Sequence, residues 1–436
     1  MKSFVIGSNC SGGGKTTVTI GIMKALKDRG YDIQGYKVGP DYIDSAFHSN
    51  VTGKSSRNLD LFLMGEDGMK NSYCRGTGDL GIVEGVMGLY DGKGLDMENS
   101  TAHIAKELGL PIVLVLTPRA QSTTLCAEIK GLVEFGKADV KGIILNNVTE
   151  GFYKILKATI EFNCNIKVLG YLPHNNDLVL ESRHLGLVQS MEIKDLDKKL
   201  DTLKMAIEEN IDLDAIVSIA KESTINIDDN YDFHKKNIKI GIAKDEAFSF
   251  YYKENLELLE ELGQVYYFSP IHNDTLPKDL DFIYFGGGYP EVFKEQLSSN
   301  ESMRESIRNA LEGGIRAYAE CGGLMYLTEE IEHYPMVGFF EGKAYMTSSL
   351  NNFGYATIEV KEHNDILPKG MKINCHEFHK SLVALKNNTI YNITKENYDG
   401  SIKQWRCGYV KKNTLAAYGH VHFFNNIEFF KKLLEV

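Results

Sequence analysis

The amino-acid sequence predicts an α/β protein with an N-terminal, doubly wound parallel sheet and a second α/β domain after it. Three observations predict this fold class. Short, continuous apolar runs alternate with helical patterns in the first half of the chain, a polar segment interrupts them over residues 223–237, and the same rhythm restarts at Ile238. Apolar runs of this kind are typical of strands buried on both faces of a parallel sheet. Their alternation with helices is typical of a doubly wound domain.

The first half contains a series of predicted buried strands, each bounded by glycines, polar residues or a helical pattern. The predicted strands are Ser3–Gly7, Ile33–Val38, Asp79–Glu84, Pro111–Leu116 and Val140–Leu145. A glycine loop follows the first of them and leads into a predicted helix over Thr16–Arg29. From Ile193 to Lys221 the pattern is helical and charged, which closes a first domain predicted over residues 1–222.

The segment over residues 223–237 is the predicted linker because Ser, Asn and Asp dominate it. A second domain is predicted over residues 238–436, where strand candidates return at Ile238–Ala243, Phe282–Phe285 and Ile315–Ala319. The chain therefore consists of two α/β domains joined by a polar connection.

Composition and charge argue against several classes of protein. The 436 residues are 43% hydrophobic and 25% charged with a net charge of -11, which is ordinary for a globular protein and argues against a nucleic-acid partner. The seven cysteines include no CxxC pair, so free thiols in a reducing compartment are expected. No run approaches the ~18 apolar residues of a membrane span, and the apolar stretch before the glycine loop is too short for a signal peptide. We expect a cytoplasmic protein without a membrane partner.

The segment Gly7–Thr17 has the context of a phosphate-binding loop, since it joins a strand to a helix. Glycines let backbone N–H groups converge on phosphate oxygens, and the helix N-terminus adds partial positive charge. Lys15 can reach the β- and γ-phosphates of ATP, and Thr16 can hold Mg²⁺. Asn9 stands where the strict pattern has glycine, so this is a variant loop. The predicted phosphate-binding residues are Ser11, Gly12, Gly13, Gly14, Lys15, Thr16 and Thr17.

Carboxylates follow two neighbouring strand candidates and supply oxygen ligands for Mg²⁺. Asp41 and Asp44 come after the second strand, and Glu84 ends the third. Ligands bind outside the carboxyl ends of the strands in open α/β sheets, so these three are predicted to join Thr16 in a metal site. The alternative is that each one caps a helix or a turn.

Cys321 is the predicted nucleophile because it lies between a strand and a helix, in the sequence Ala-Glu-Cys-Gly-Gly. Such an elbow exposes the thiol, and the helix N-terminus is expected to lower its pKa. An oxyanion hole for a tetrahedral intermediate is predicted from the backbone at Gly286, Gly287, Gly288 and Gly322. The alternatives are a buried structural thiol at this position and Cys10 as a rival nucleophile.

Histidines near the C-terminus supply the base that a cysteine nucleophile needs. His420 is the predicted base, and His422, two residues on, would lie on the same face of an extended strand. His376, Glu377 and His379 are candidate substrate contacts. A zinc pair is a further alternative, but no complete ligand set has structural-zinc spacing.

These blocks together resemble the cobyrinic acid a,c-diamide synthase family, over nearly the whole chain. The matching segments are SGGGKTT (11–17), YKVGPDYID (36–44), NLD (58–60), VEGVMGLYDG (83–92), GIILNNV (142–148), ESRHLGL (181–187), GGGYPE (286–291), AECGGLMYL (319–327), HEFHKS (376–381), GYV (408–410) and AAYGHVHF (416–423). The N-terminal part resembles the dethiobiotin synthetase type of P-loop fold, and the C-terminal part resembles a class I glutamine amidotransferase.

The resemblance implies an ATP- and glutamine-dependent amidation of the a and c side-chain carboxylates of a corrin, through acyl phosphates. It implies that Cys321 forms a thioester with glutamine and that His420 activates the thiol. Ordinary class I amidotransferases carry a glutamate two residues after this histidine, whereas this chain has His422, so a Cys–His dyad is expected.

The sequence leaves other tetrapyrrole substrates and other classes of protein as alternatives. The same chemistry on nickel-sirohydrochlorin or hydrogenobyrinic acid would use the same residues. A partition-type P-loop ATPase would leave residues 238–436 unexplained and lacks its signature lysine at the start of the loop. A binding protein with a dead glutaminase conflicts with the presence of both Cys321 and His420. The residues do not decide whether the chain forms a homodimer.

Overall fold

The computed structural model describes residues 1–175, 182–183, 186–187, 195–225 and 236–435. The chain divides into two compact units. The first is formed by Met1–Leu61 and Gly65–Asp229, and the second by Phe62–Met64 and Asn230–Val436. Most of the predicted linker, and residues 181, 184 and 185 of the ESRHLGL segment, lie outside the described residues.

The first unit is a parallel sheet with connecting helices. Its elements are β1 Lys2–Ser8, α1 Lys15–Asp28, β2 Ile33–Val38, α2 Tyr42–Thr52, β3 Arg57–Leu59, α3 Leu61–Cys74, β4 Leu80–Glu84, α4 Thr101–Leu108, β5 Ile112–Leu116, α5 Thr123–Glu134, β6 Val140–Asn146, α6 Glu150–Cys164, β7 Lys167–Leu172, β8 Ser182–Arg183, β9 Gly186–Leu187, α7 Leu196–Asn210, α8 Leu213–Ile219 and β10 Lys221–Glu222.

The strand order is β3-β2-β4-β1-β5-β6-β7, and all these neighbours run parallel, while β10 pairs antiparallel with β1. β2, β4 and β5 are buried along their whole lengths, as expected for strands covered on both faces. The register places Glu84 beside Ile6 on one neighbour and beside Lys37 on the other. The carboxyl ends of β1, β2 and β4 therefore meet at one edge, where the glycine loop leaves β1.

The second unit contains a mixed sheet. Its elements are β11 Lys239–Ala243, β12 Phe248–Phe250, α9 Lys253–Leu262, β13 Gln264–Phe268, β14 Phe282–Phe285, β15 Gly287–Gly288, α10 Lys294–Ser299, α11 Glu301–Glu312, β16 Arg316–Glu320, α12 Gly322–Tyr326, β17 Glu330–Ile331, β18 Tyr334–Pro335, β19 Gly342–Val360, β20 Lys372–Leu385, β21 Thr389–Glu396, β22 Ile402–Lys411, β23 Thr414–Ala417, β24 His420–Val421 and α13 Ile427–Leu434.

This sheet has a parallel part and an antiparallel part. β13, β11, β14, β16 and β23 are parallel neighbours in that order, and β22, β21, β19 and β20 continue the sheet as antiparallel neighbours. Three adjacent parallel strands, β14, β16 and β23, end at the same edge. The glycine loop follows β14, Cys321 follows β16, and His420 comes shortly after β23.

The predicted elements of the parallel parts recur within one or two residues of their observed bounds. The two-part α/β fold is confirmed, whereas the long antiparallel strands β19–β22 were not predicted. In the part of the chain that the structure describes, no helix is both long enough and apolar enough to span a bilayer.

Candidate active sites

The loop between β1 and α1 presents an open helix N-terminus. Gly14 is the N-cap residue with φ 87°, and no side chain caps α1. A Cβ at Gly14 would lie 2.2 Å from Nδ2 of Asn146, and one at Gly13 would lie 2.3 Å from Oγ of Ser8. Both positions need glycine because any side chain would collide with these neighbours. The first N–H groups of α1 are left for an anion, as phosphate sites at helix N-termini require.

Lys15 lies across this loop and is largely buried, at 7% exposure. Its Nζ donates hydrogen bonds to the carbonyl oxygens of Cys10 at 2.9 Å and Met87 at 2.6 Å. Burial, followed by the neighbouring charge of Lys37, lowers the pKa of Lys15 to about 8. The ammonium group is therefore held at the loop and lacks a close carboxylate partner among its hydrogen bonds.

The other predicted residues of the loop differ in exposure. Ser11 and Gly12 are exposed, and Thr16 and Thr17 are half-buried. Thr117 supports the loop from behind, since its Oγ1 donates to the carbonyl oxygen of Gly13 at 3.1 Å. The exposed segment and its supported base together form a cradle that a phosphate chain can enter.

An ionic network lies directly beside the loop. Oγ1 of Thr16 donates to Oε1 of Glu84 at 2.5 Å and to Oδ2 of Asp44 at 3.4 Å. Nζ of Lys37 lies 2.6 Å from Oδ2 of Asp44 and 2.8 Å from Oε1 of Glu84. Nε2 of His48 lies 2.7 Å from the other oxygen of Glu84. Three of the predicted metal residues thus share one cluster with Lys37 and His48.

Protonation within this network is uneven. Burial and the charge of Asp41 raise the pKa of Asp44 to about 8. Burial would also raise the pKa of Glu84, but Lys37 and His48 outweigh it and hold that pKa below its usual range. Burial would lower the pKa of Lys37, whereas Asp44 and Glu84 raise it above its usual range. Within the cluster, the surroundings thus favour the ionised form of Glu84 and the protonated form of Asp44.

Asp41 has a different position from the other two carboxylates. It is the N-cap residue of α2, and its Oδ1 accepts hydrogen bonds from the N–H groups of Ile43 at 2.8 Å and Asp44 at 3.1 Å. The helix-cap alternative raised by the sequence is thus present at Asp41. Among the described residues, no three His, Cys, Asp or Glu side chains form a group that could hold a metal ion without further ligands.

In the second unit, Cys321 occupies a strained elbow. Its backbone has φ 49° and ψ -102° between β16 and α12, a conformation that costs on the order of 1–3 kcal/mol in a residue other than glycine. Its N–H donates to the carbonyl oxygen of Ala417 at 2.8 Å. A Cβ at Gly323 would lie 2.5 Å from the carbonyl oxygen of Phe285, so the glycine lets the elbow pack against the neighbouring strand.

His420 lies at the same strand edge and is buried, at 2% exposure. Its Nδ1 is 3.6 Å from Oε2 of Glu320, the residue before Cys321. The opposite edge of its ring lies over Gly287, where a Cβ would be 2.4 Å from Cε1 and 3.2 Å from Nε2. The imidazole therefore lies between the Glu320 carboxylate, which is beyond hydrogen-bond distance of Nδ1, and the glycine loop.

The predicted oxyanion glycines are not equivalent. The N–H of Gly286 donates to the hydroxyl of Tyr251 at 2.8 Å, so that donor is used within the protein. A Cβ at Gly322 would lie 3.0 Å from the backbone nitrogen of Gly288. The backbone of Gly288 and the residue after Cys321 thus meet at one place, and Gly287 makes room for His420.

The protonation of Cys321 differs from the sequence expectation. Burial, followed by the charges of Glu291 and Glu377, raises the pKa of the Cys321 thiol above its ordinary value. The expected net lowering was wrong: the N–H of Gly322 at the start of α12 does lower the pKa, but burial and the nearby carboxylates outweigh it. The resting nucleophile is a neutral thiol that needs a base.

Comparison with known proteins agrees with this division into two parts. The CobQ/CobB/MinD/ParA nucleotide binding domain family matches residues 4–188. The CobB/CobQ-like glutamine amidotransferase domain family matches residues 239–427. The first match implies use of ATP, and the second implies glutamine as nitrogen donor.

Full-length relatives define the family. A cobyrinate a,c-diamide synthase of Clostridium tetani is 61% identical over 100% of both chains. One of Clostridium acetobutylicum is 60% identical, again over 100% of both chains. The chain belongs to the cobyrinate a,c-diamide synthase family. A more distant member from Caldanaerobacter subterraneus subsp. tengcongensis is 42% identical over 100% of this chain and 98% of its own. The predictions of the family and of a glutamine-dependent ligase are confirmed.

Within this family framework, the candidate substrate contacts fall into two groups. His376 is half-buried and pairs with His420 in the β20–β24 register. Burial, followed by His420, lowers the pKa of His376 to about 3, so it is neutral. Glu377 and His379 are buried at 0% and 3% exposure. Glu377 accepts from Trp405 Nε1 at 3.1 Å, and its other oxygen lies 3.1 Å from Nε2 of His379.

His422 has the setting of a core residue. It is 0% exposed, its Nε2 lies 3.4 Å from Oε2 of Glu254, and its Nδ1 accepts from the N–H of Phe424 at 3.2 Å. A substrate contact at His422 stays a prediction, although its neighbours here are those of a core side chain. β24 ends at Val421, so the two histidines do not continue on one strand face as the sequence pattern suggested.

Three side chains at these sites were not predicted as site residues: Lys37, His48 and Glu320. Asp44 and His48 are four residues apart, which places them on one helix face, so helical spacing could have indicated His48. Lys37 could not be assigned because its contact with Glu84 depends on β2 lying beside β4.

Proposed function

We propose that the chain catalyses the ATP- and glutamine-dependent amidation of the a and c side-chain carboxylates of cobyrinic acid. The full-length relatives carry the name of this activity, and each half of the reaction has a matching site. The observation that carries the proposal is the meeting of Cys321, His420 and the glycine loop at the ends of three adjacent strands. ATP binding alone does not require such an arrangement of a cysteine, a histidine and a glycine loop.

In the glutamine half, His420 takes the proton from the Cys321 thiol, and the sulfur attacks the side-chain amide carbon of glutamine. The backbone at Gly288 and Gly322 supports the oxyanion of the tetrahedral intermediate. Collapse of the intermediate breaks the C–N bond, His420 returns its proton to the leaving nitrogen, and ammonia departs. Water then hydrolyses the thioester to glutamate and restores the thiol.

In the ATP half, the loop over residues 11–17 binds the phosphate chain and Lys15 neutralises its terminal charge. The γ-phosphoryl group passes to a corrin carboxylate, ammonia attacks the acyl phosphate, and phosphate leaves as the amide forms. Lys37 supports this step as a fixed cation beside Asp44 and Glu84.

Mg²⁺ fits the donors at this edge. Thr16, Asp44 and Glu84 supply oxygen atoms within one cluster, and protein sites for Mg²⁺ in nucleotide enzymes commonly use one or two carboxylates together with phosphate oxygens. We assign these three residues to the ion, which neutralises charge on the β- and γ-phosphates when bound. Asp41 is assigned to the cap of α2, and its part in the metal site stays a prediction.

The substrate assignment is tested with purified protein, ATP, Mg²⁺ and glutamine against cobyrinic acid, its metal-free form and nickel-sirohydrochlorin. Mass spectrometry should detect two added amides on cobyrinic acid, with release of two ADP. Preferred turnover of nickel-sirohydrochlorin or of the metal-free corrin would overturn the substrate while preserving the chemistry. Replacement of glutamine by ammonium chloride should sustain product formation. Assembly into a homodimer stays a prediction, which light scattering tests.

A further inference from the structure

Glu320 is a carboxylate buried directly behind the nucleophile, at 1% exposure. Its Oε1 accepts hydrogen bonds from the Tyr318 hydroxyl at 2.9 Å and from the N–H of Val421 at 3.0 Å. Its Oε2 accepts from the Tyr284 hydroxyl at 2.8 Å. Burial and the charge of Glu320 raise the pKa values of both tyrosines well above their ordinary range, so both remain donors. Three donors thus fix the position of this carboxylate.

The fourth neighbour of Glu320 is the proposed base. Nδ1 of His420 lies 3.6 Å from Oε2, the same oxygen that accepts from Tyr284. The other edge of the imidazole, with Cε1 and Nε2, lies over Gly287 in the glycine loop. The imidazole ring of His420 therefore lies between the Glu320 carboxylate, whose position is fixed by its donors, and the glycine loop.

We propose that Glu320 is the positioning residue of His420, so that the site works as a Cys321–His420–Glu320 triad and not as a dyad. This inference rests on the proposed glutaminase role of the second unit. The carboxylate supplies the function that ordinary class I amidotransferases obtain from a glutamate two residues after the histidine. Here it comes from the residue immediately before the nucleophile.

The chemistry follows from the two ring nitrogens. A carboxylate at Nδ1 holds the proton there, which leaves a lone pair on Nε2 to take the thiol proton of Cys321. When the imidazolium forms, its positive charge lies beside Glu320 and is stabilised. This help matters because burial and nearby acids raise the pKa of Cys321, so proton transfer to a weak base would be costly. A distance of 3.6 Å in the glutamine-free protein is compatible with this role because catalytic hydrogen bonds often shorten once substrate is bound.

The same unit contains a second buried His–Glu pair that serves as a matched control. His422 and Glu254 are both 0% exposed and lie 3.4 Å apart. His422 accepts from the backbone N–H of Phe424 and packs against the ring of Tyr252. Removing Glu254 tests what the loss of a buried carboxylate does to folding, without touching the proposed base.

The decisive experiment compares Glu320→Gln, Glu320→Asp and Glu254→Gln in three assays: glutamine hydrolysis across pH 5–10, ammonia-driven amidation, and thermal unfolding. We expect Glu320→Gln to lower the glutaminase kcat about 100-fold or more, since a triad carboxylate can be worth up to ~10⁴, with KM changed less than about threefold. The acid limb of its pH profile should move to lower pH because the anion beside His420 is gone. Ammonia-driven amidation should be retained.

Glu320→Asp should have a glutaminase kcat about tenfold higher than that of Glu320→Gln, because a carboxylate is again present at a longer distance from His420. Glu254→Gln should keep the wild-type pH profile even where its unfolding temperature falls. If Glu320→Gln does not fold, Tyr284→Phe replaces it and should lower kcat about two- to tenfold, as one hydrogen bond to the carboxylate is lost.

The inference is overturned if Glu320→Gln, or its replacement, keeps the wild-type kcat and acid limb. It is also overturned if Glu254→Gln shifts the profile equally, since burial alone would then explain the effect. A wild-type protein that releases no ammonia from glutamine would instead contradict the proposed function itself, before any variant is measured.

Discussion

The two candidate sites share one local architecture and differ in their electrostatics. In each unit a buried parallel strand ends in a glycine-rich turn and a helix begins. At the phosphate loop the helix N-terminus is open, and a lysine with a pKa of about 8 lies across it. At the elbow the helix is short, the thiol is buried, and its pKa is raised.

This difference shows that a helix N-terminus does not by itself determine the charge of the group placed on it. At the loop, anions must come from the substrate, so the protein supplies cations and open N–H groups. At the elbow, the neighbours of Cys321 are carboxylates, which disfavour a thiolate. The first site is ready to bind an anion, and the second needs His420 before it can make one.

The largest expected effect comes from Cys321→Ala, which separates the two sites. Glutamine-dependent amidation should fall at least about 10⁴-fold, because removing a covalent nucleophile can cost up to ~10⁶. Amidation with ammonium chloride should stay within about threefold of wild type, because the phosphate site is untouched. Product formation by mass spectrometry with each nitrogen donor measures both. Equal loss with both donors would show that Cys321 does not supply ammonia.

Lys15→Ala should have the next largest effect and the opposite pattern. Loss of the cation at the loop should reduce amidation with either donor about 10²–10³-fold, the typical cost of a missing charge-stabilising group. Glutamine hydrolysis measured without corrin should change little. Lys24→Ala is the control on the same helix, since Lys24 pairs with Asp28 away from the loop. A glutaminase loss equal to the amidation loss would contradict the separation of the sites.

A smaller effect is expected from pH on the free thiol. Because the pKa of Cys321 is raised, its thiolate fraction should grow about tenfold per pH unit across pH 7–9 with no plateau, whereas an ordinary cysteine is half ionised at about pH 8.5 and its thiolate fraction flattens above that pH. Alkylation by iodoacetamide without glutamine, followed by peptide mass spectrometry with N-acetylcysteine in the same tube, measures this. A plateau below pH 8 would mean that the resting site holds a thiolate.

The sequence was most informative where chemistry and backbone are local. The loop over residues 11–17 and the elbow at Cys321 were located from glycine spacing, since both need backbone that only glycine adopts or space that only glycine leaves. The parallel strands were also predictable because they are apolar throughout. The long antiparallel strands were harder to predict; in β20, for example, polar residues occupy the buried positions Glu377, His379 and Ser381, so the apolar and polar alternation that predicts a half-buried strand is broken in the sequence.

The other site residues were not predicted because their contacts form between strands that are distant in sequence. Lys37 and Glu84 are 47 residues apart, and they meet only because β2 and β4 are neighbours. Tyr318 and Glu320 share one face of β16, as strand period predicts, but which side His420 approaches depends on the order β14-β16-β23. Burial was also not evident from the sequence: His422 lies two residues from His420 in sequence, yet it has the setting of a core residue.

The smallest expected effect concerns Asp41, and it tests how many carboxylates of the phosphate site act on the ion. The Asp41 side chain caps α2, so Asp41→Ala should lower the free energy of unfolding of the nucleotide-free protein by ~1 kcal/mol. Asp41→Asn keeps the cap and should cost less than ~0.5 kcal/mol, because asparagine caps helices as well as aspartate does. Urea unfolding of both variants measures the difference.

The same pair of variants separates capping from metal binding. Asp41→Asn removes a charge that raises the pKa of Asp44, which should leave Asp44 more readily ionised at neutral pH and the Mg²⁺ dependence of amidation close to wild type. Asp44→Asn removes an assigned ligand and should raise the Mg²⁺ concentration for half-maximal rate about tenfold or more. If Asp41→Asn raises this Mg²⁺ concentration as much as Asp44→Asn does, three carboxylates hold the ion. The phosphate site would then be as rich in acids as the cysteine site, and its cations, not a shortage of carboxylates, would be what distinguishes the two.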